Sequence, residues 1–514
     1  MRNTFIFLFI IAVISLTSCR KDFDFEPSSG NLGFSKDTVF LDTVFTNIGS
    51  STYTLKVYNR SDKDISIPTI QLAKGMNSKY RMMVDGMQGT GGKIFNNVEL
   101  LAKDSLFIFI ETTIDYNDFA NPDAEYLYTD QILFDNGTKQ QKVQLVTLVK
   151  DAIFLYPNRD NEGNYEQIPI GVDEEGNPIT GRGFFLDDTE RHWTKDKPYV
   201  IYGYAGVPAN ETLTIDAGTR VHFHSGSALI AYNGSSIKIN GSQSFTDQLE
   251  NEVIFEGDRL EPAFSDSPGQ WLAIWLTNGS TGHEFTNLTI KNATVGILVS
   301  GNSGINNPTP DLKLKNVQIY NSSNAGILAQ TGYVEGENVV INWGGSSSFV
   351  GSYGGKYDFK HCTFNNNWSG SRKYAVALDN YIQGATPEVQ PLEASFKNCI
   401  IFSSNQSGLL LNKKEGSDNF NAAFTKCQIK LSNSINTTNN IYSFVNDNTN
   451  IIRNGNPNFL DINKNKLMIG EDSSANGFGD PGVAAQVPND IKGTARNTAS
   501  PDLGAYESIT FEER

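Results

Sequence analysis

Apolar and polar residues alternate with a period of two along most of this chain, which predicts strands buried on one face. A first stretch of alternation runs from about 31 to 150. It includes Thr38-Val39-Phe40-Leu41, Tyr53-Thr54-Leu55-Lys56-Val57-Tyr58 and Ser105-Leu106-Phe107-Ile108-Phe109-Ile110. Gln131-Ile132-Leu133-Phe134 and Val143-Gln144-Leu145-Val146 flank Asp135-Asn136-Gly137-Thr138 and predict a hairpin. Asn-Gly is expected to form a type I′ turn there, with positive φ at both central positions. From Leu213 the alternation becomes a repeat. Asn287-Leu288-Thr289-Ile290, Asn316-Val317-Gln318-Ile319 and Asn338-Val339-Val340-Ile341 align with His361-Cys362-Thr363-Phe364, Asn398-Cys399-Ile400-Ile401 and Lys426-Cys427-Gln428-Ile429. Their starts lie 29, 22, 23, 37 and 28 residues apart. Several units share a second strand: Gly296-Ile297-Leu298-Val299, Gly326-Ile327-Leu328-Ala329, Val376-Ala377-Leu378 and Leu409-Leu410-Leu411.

A spacing near 22 with variable additions suits one turn of a parallel β-helix, with three short strands per turn and insertions at the corners. The Leu-x-x-Leu-x-Leu consensus of a leucine-rich repeat is absent, and a propeller blade needs about 40 residues. The roughly seven strands in about 120 residues ahead of it predict an immunoglobulin-like sandwich. Thr46-Asn47-Ile48-Gly49 and Val57-Tyr58-Asn59 resemble the opening of bacterial Ig-like modules. No cysteine lies in that region to bridge the sheets. The expected fold is therefore all-β: an N-terminal Ig-like β-sandwich over 31–150 and a right-handed parallel β-helix over 211–445. Residues 151–210 are expected to form a connector and N-terminal cap, and 446–514 the C-terminal rungs and cap. Within the tetrads, positions two and four should form interior columns, and the leading Asn should adopt a left-handed conformation with its amide bonded along the axis. Cys362, Cys399 and Cys427 take places used elsewhere by Leu and Val, so they read as small buried hydrophobes. A disulfide between neighbouring turns is the alternative at about 4.8 Å strand spacing.

The length of 514 residues allows several domains. The 46 Gly and 53 Asn favour many tight turns, because these residues tolerate positive φ most cheaply. With 41 basic against 57 acidic residues the formal charge is −16, which lacks the basic footprint a nucleic-acid partner needs. Met1-Arg2-Asn3-Thr4 precedes an apolar run from Phe5 to Leu16, too short to span a bilayer but suited to a secretory signal. Leu16-Thr17-Ser18-Cys19 resembles the lipobox of bacterial lipoproteins. That resemblance implies a signal peptide over 1–18, lipidation at Cys19 and a lipidated tether over 19–30. Acyl chains would then attach the protein to the membrane without a span, and two or more hold far better than one. Arg20 stands where inner-membrane retention signals usually place Asp. Lys21-Asp22 with Asp24 and Glu26 resembles the acidic export signal of Bacteroidota surface lipoproteins, which implies the outer membrane and its outer face. Removing 1–18 takes only Arg2 among charged residues, so −16 becomes −17, and anionic lipid would not attract the mature surface.

Further motifs carry a second resemblance. Leu213-Thr214-Ile215-Asp216-Ala217-Gly218-Thr219 with Val221-His222-Phe223 looks like the opening rung of bacterial β-helix proteins of the pectate-lyase-like superfamily. Pro268-Gly269-Gln270-Trp271 with Ile274-Trp275-Leu276 resembles a motif of Bacteroidota lipoproteins of that type. Asp490-Ile491-Lys492-Gly493, Arg496 and Pro501-Asp502-Leu503-Gly504-Ala505-Tyr506-Glu507 resemble their closing segment. The likeness covers about 190–514. The superfamily holds lyases, hydrolases, adhesins and proteins of unknown role, so it does not choose a function.

Polysaccharide lyases on this fold place a Lys or Arg base, and often acidic calcium ligands, on outward strand positions. Proton abstraction next to a uronate needs that base and a cation or Arg to neutralise the carboxylate. The outward row of the first aligned strand reads Thr289, Gln318, Val340, Thr363, Ile400, Gln428, and that of the second reads Leu298, Leu328, Ala377, Leu410. Neither row is ionisable, and the paired Asp, Gly-His-Gly and Arg-Ile-Lys segments of the hydrolases are absent. Asp358, His361, Arg372, Lys373 and Asp379, with Lys413 and Lys414 one turn on, are the remaining catalytic candidates against a reading as a solvated corner. His222 and His224 share a face, either as a metal pair or as a satisfied rung-end pair. No Cys-x-x-Cys exists, so no metal site is expected. Trp271 and Trp275, four apart, would share a face on a regular strand, as a sugar platform or as core. The outward leucines should not face water; an inserted loop such as 345–357, the Ig-like module or another protein is expected to cover them. Leu298, Leu328, Leu410, Trp271 and Trp275 are therefore the binding candidates. The function expected is a non-catalytic, lipid-anchored surface scaffold with no cofactor, whose partner is an outer-membrane protein complex or a glycan. The alternative is a polysaccharide lyase, calcium-assisted, or a glycoside hydrolase.

Overall fold

A computed structural model describes residues 24–118, 125–173, 175–301, 305–384 and 387–512; the signal segment 1–18 and Cys19 lie outside the described residues. The fold is all-β, and the chain divides into two compact units, Met1–Asp151 and Ala152–Arg514.

In the first unit, a six-stranded and a four-stranded sheet share one core. Gln141–Lys150 shows how the sequence sets its faces. Val143, Leu145, Thr147 and Val149 are buried at alternate positions, and the residues between them are less buried. Its antiparallel ladder with Glu125–Phe134 pairs Phe134 with Gln141, so the hairpin forms where the pattern placed it. The turn differs from the expected type I′. Asp135 (φ 61°) and Gly137 (φ 58°) are left-handed, whereas Asn136 is extended at φ −142°. The Asp135 carboxylate accepts from Ser28 Oγ at 2.8 Å, and this contact with the N-terminal segment holds the longer loop Asp135–Gln140 in place of a two-residue turn.

The second unit is built from three rows of parallel strands, and the chain passes through the rows in the same order on each turn. The first row includes Tyr333–Glu337, Gly355–Lys360, Leu392–Lys397 and Phe420–Thr425. The second includes Val340–Gly344, Thr363–Asn366, Ile400–Ser403 and Cys427–Ile429. The third includes Val295–Ser300, Ala325–Gln330, Ser347–Ser352, Tyr374–Asp379 and Leu409–Asn412. Parallel stacking already begins with Ile153–Leu155 on Tyr199–Ile201. Register matches the tetrad alignment: Ile290 pairs with Ile319, Ile319 with Ile341, Ile341 with Phe364, Phe364 with Ile401, and Ile401 with Ile429. Leu288, Val317, Val339, Cys362, Cys399 and Cys427 form the parallel column, and all are fully buried. The three cysteines of this column are free thiols.

The residue leading each tetrad turns the chain from the first row into the second. All six are left-handed, including His361 (φ 51°) and Lys426 (φ 51°), which accept a conformation that Asn adopts more cheaply. The amides form a ladder along the stack. Asn316 Nδ2 donates to Asn287 Oδ1 at 3.1 Å, and Asn338 Nδ2 to Asn316 Oδ1 at 2.9 Å. Inside the first row, Phe359, Phe396 and Phe424 stack at successive centroid distances of 5.4 and 5.2 Å, and Phe444 of the 3-10 turn Ser443–Asn446 continues the stack at 4.7 Å. Gly336 makes room above them, since a Cβ there would lie 2.5 Å from the Phe359 ring.

After Arg453 the chain runs back over the outer face of the second row. Tyr320 and Val340 pack with Leu467, Ile491, Ala505 and Tyr506, and Ile400 packs with Ile469, Ala475 and Leu503. The Asp490, Arg496 and Glu507 motifs are the clasp of this cover. Arg496 Nη1 donates to Glu507 Oε1 at 3.0 Å, its Nη2 donates to Asn338 Oδ1 at 2.7 Å, and Glu507 N donates to Asp490 Oδ2 at 3.0 Å. The clasp thus grips the asparagine ladder. Replacing Asn316 by Ala removes two ladder bonds and forces an Ala into the left-handed region. Chemical denaturation should show a loss of about 2–3 kcal/mol. Asn316→Gly should recover the backbone part, and equal losses for both would contradict the assigned role.

Candidate functional site

The structure separates the five catalytic candidates. Asp358 stands on the outer face of the first row, with Lys397 Nζ 3.9 Å away. His361 is buried at the corner between the first and second rows, where its Nε2 accepts from Asn398 Nδ2 at 2.9 Å. Burial, aided by Arg496, lowers its pKa to about 3, so it is neutral at ordinary pH. Arg372 and Lys373 lie between the second and third rows, and Lys373 Nζ binds the Gly345 carbonyl. Asp379 ends a third-row strand and accepts from Ser352 Oγ at 3.2 Å and Tyr353 N at 2.8 Å; burial raises its pKa. No acid–base pair is assembled from this set.

The tryptophans face opposite ways. The regular strand begins only at Ile274, so the four-residue spacing does not put both on one side. Trp271 is interior, stacked on Phe223 at 4.2 Å with Nε1 donating to the Lys291 carbonyl. As a buried residue it cannot serve as a binding residue. Trp275 points outward, its Nε1 donating to Ser300 Oγ at 3.2 Å. It heads a column matched in register down the third row: Trp275, Leu298, Leu328, Val350, Ala377, Leu410. Each is half-buried. The segment 345–357 is not an inserted loop over these leucines. It supplies Ser347–Ser352 and part of Gly355–Lys360, and so adds Val350 to the column.

The outward row of the second-row strands is also not open. Val340, Thr363, Ile400 and Gln428 are buried beneath the returning chain, and Thr289 is buried against Glu252 and Gln318. The expectation of an outer wall free of ionisable groups fails on the first row, whose strands the tetrads did not include. Lys238, Glu284, Lys313, Glu335 and Asp358 form one outward line, and Lys315, Glu337, Lys360 and Lys397 form a second. All of them but Lys238 and Lys397 line a groove of about 350 Å³. The sequence signal is the triplet immediately before each tetrad, as in Glu284-Phe285-Thr286, Lys313-Leu314-Lys315 and Asp358-Phe359-Lys360. Many of these charges alternate in sign and pair: Lys238 with Glu284 at 3.2 Å, Lys360 with Glu337 at 3.9 Å.

His222 and His224 are each held separately. His222 Nδ1 lies 3.3 Å from the Gly257 carbonyl, and His224 Nδ1 lies 2.7 Å from Asp258 Oδ2. Among the described residues no group of three or more His, Cys, Asp or Glu is placed to hold a metal ion, and no helix is long and apolar enough to cross a membrane.

No protein family and no curated protein matches the chain. Solved structures give partial likenesses. A family 123 glycoside hydrolase from Clostridium perfringens, at 9% identity and TM-score 0.17, matches 24% of this chain and 30% of its own. The E. coli chaperone DraB, at 14% identity and TM-score 0.17, matches 25% of this chain and 58% of its own. The ASH/PapD-like domain of human CEP192, at 11% identity and TM-score 0.15, matches 26% of this chain and 94% of its own. The chain thus spans less than a third of the hydrolase, and at these scores the likenesses decide neither fold nor activity.

Beneath the cover lies a buried carboxylate. Glu252 Oε2 accepts from Thr289 Oγ1 at 2.7 Å and from Gln318 Nε2 at 3.2 Å, and Gln318 Oε1 accepts from Tyr320 OH at 2.9 Å. Desolvation raises the Glu252 pKa in spite of these bonds. A carboxyl whose folded pKa is raised is penalised when charged, so the cost is present above the folded pKa and absent below the unfolded one. Glu252→Gln should therefore melt at or above the wild-type temperature at pH 8. The two melting temperatures should converge as pH falls through the range above the unfolded carboxyl value. A variant that is less stable at pH 8 and not at pH 4 would reverse this sign.

Proposed function

We propose that this chain is a Bacteroidota-type surface lipoprotein, with an Ig-like β-sandwich followed by a right-handed parallel β-helix of pectate-lyase-like kind. In this reading it is held at the outer membrane by acyl chains on Cys19. The helix acts as a non-catalytic scaffold that binds an outer-membrane protein complex. One observation carries the binding role. The chain covers the apolar outward residues of its second row, Val340 and Ile400, with its own C-terminal segment, but the register-matched column from Trp275 to Leu410 is only half-buried. A row of stacked apolar side chains on a rigid wall suits a protein partner, because burying it removes apolar surface from water without reordering the wall.

Co-purification in detergent tests this. The tagged full-length protein should bring down a defined barrel protein in fixed ratio. Leu298→Asp with Leu328→Asp should reduce recovery by roughly tenfold or more while melting is unchanged. A clean preparation without a partner, or recovery indifferent to the double variant, would count against the scaffold. Cys19→Ala should move the protein from the membrane fraction to the soluble fraction.

The charged first-row groove favours a second reading, a polysaccharide lyase or hydrolase acting on surface glycans, with calcium for a lyase. In that case uronate-containing polysaccharides should yield new unsaturated or reducing ends. Asp358→Asn or Lys313→Met should abolish the product, and no product from any acidic or neutral glycan tried would remove this reading.

A further inference from the structure

A second groove, of about 920 Å³, runs along the corner between the second and third rows. Its lining comes from four successive turns: 370–374, 404–407, 430–433 and Asn454. Three strand spacings make this roughly 14 Å along the stack. The groove differs from the first-row one in its charge. Arg372, Lys373 and Lys430 line it, and no Asp or Glu does, in a chain where acidic residues outnumber basic ones 57 to 41. Among the described residues none of the three is paired with a carboxylate. Lys373 reaches the Gly345 carbonyl, and Lys430 lies 5.6 Å from the Phe402 ring centre.

The rest of the lining is amide and hydroxyl. Asn405 donates to the Trp368 carbonyl at 2.9 Å, and Asn454 donates to Asn433 Oδ1 at 3.3 Å. These bonds fix the direction of the amides. The Gln406 side chain and the Asn433 amide nitrogen make no hydrogen bond among the described residues, so they can bond to a ligand. Tyr374, half-buried, adds an aromatic ring to the lining.

We infer that this corner groove binds a linear acidic glycan, its carboxylate or sulfate groups on Arg372, Lys373 and Lys430 and its hydroxyls on the Asn and Gln side chains. Uncompensated cations in a strongly acidic protein call for an anionic ligand. Closely spaced amides and hydroxyls match the density of hydroxyls on a sugar chain, and an aromatic ring suits the apolar face of a sugar. Three cations are too few for a nucleic acid, whose phosphate spacing demands a longer basic track against a net charge of −16. The groove is lined by other residues than the apolar third-row column, so it is independent of the scaffold reading.

Isothermal titration of the full chain tests the inference with four probes: a hexameric oligouronate, its fully methyl-esterified form, a sulfated hexasaccharide and a single-stranded DNA hexamer. At least one acidic sugar should bind in the millimolar range or tighter, with affinity falling as salt rises. The neutral ester should bind at least about tenfold more weakly than the acid. Arg372→Gln with Lys430→Gln should weaken acidic-sugar binding by roughly tenfold or more with melting unchanged, whereas Lys238→Gln, in the paired first-row ladder, should leave it intact. The inference falls if neither acidic sugar binds, if the ester or the DNA binds as well as the acid, or if the double variant binds like wild type. Because the scaffold is scored by barrel-protein recovery, the two proposals fail separately.

Discussion

The structure of the second unit depends on strands of successive turns lying in exact-fit register, so that each side chain meets its counterpart one turn away. A slip by one residue would send every inward side chain to the outer wall. The corner residues protect against this. Each tetrad begins with a left-handed residue, and the side chains bond from Asn287 to Asn316, from Asn316 to Asn338 and from His361 to Asn398, which fixes the height of the turn at those coils. The interior columns are then filled to the size of their neighbours, and Gly336 gives way where the Phe359 ring needs space.

The same regularity creates a difficulty on the outside. Repeating strands repeat their outward residues too, so each row carries its own surface chemistry down the whole stack. The three rows meet this in different ways. The first alternates charges of opposite sign, which many exposed pairs tolerate at little gain or cost. The second carries Val340 and Ile400 and is sealed by the returning chain. The third carries leucines that stay half-buried. Surface chemistry that varies by row on a common frame can hold several binding faces on one molecule.

The sequence revealed the interior better than the exterior. Aligning six tetrads placed twelve inward residues correctly, because burial constrains them to apolar types that recur at a readable spacing. Ser347–Ser352 escaped because Ser-Ser-Phe-Val lacks the Gly-Ile-Leu pattern of the two strands before it, although Val350 completes the leucine column. The first-row charges escaped because only the strand after each corner had been aligned. The burial of Thr363 and Gln428 was not legible at all: Ala505 returns to bond Thr363 from 142 positions away, Gly455 and Ser474 return to bond Gln428 from 27 and 46, and local alternation contains no trace of such a cover. The motif around Asp490, Arg496 and Glu507 was visible as letters, but its task emerged only when Arg496 was seen to hold Asn338.

The covering segment follows, in chain order, every turn it hides. Val340 and Ile400 are therefore synthesised before anything that can close over them, and a stack formed ahead of its cover would be sticky along one side. Cleavage between Arg453 and Phe459 would separate wall from cover, and a stack caught at that stage would be prone to pair with another through its bare second row.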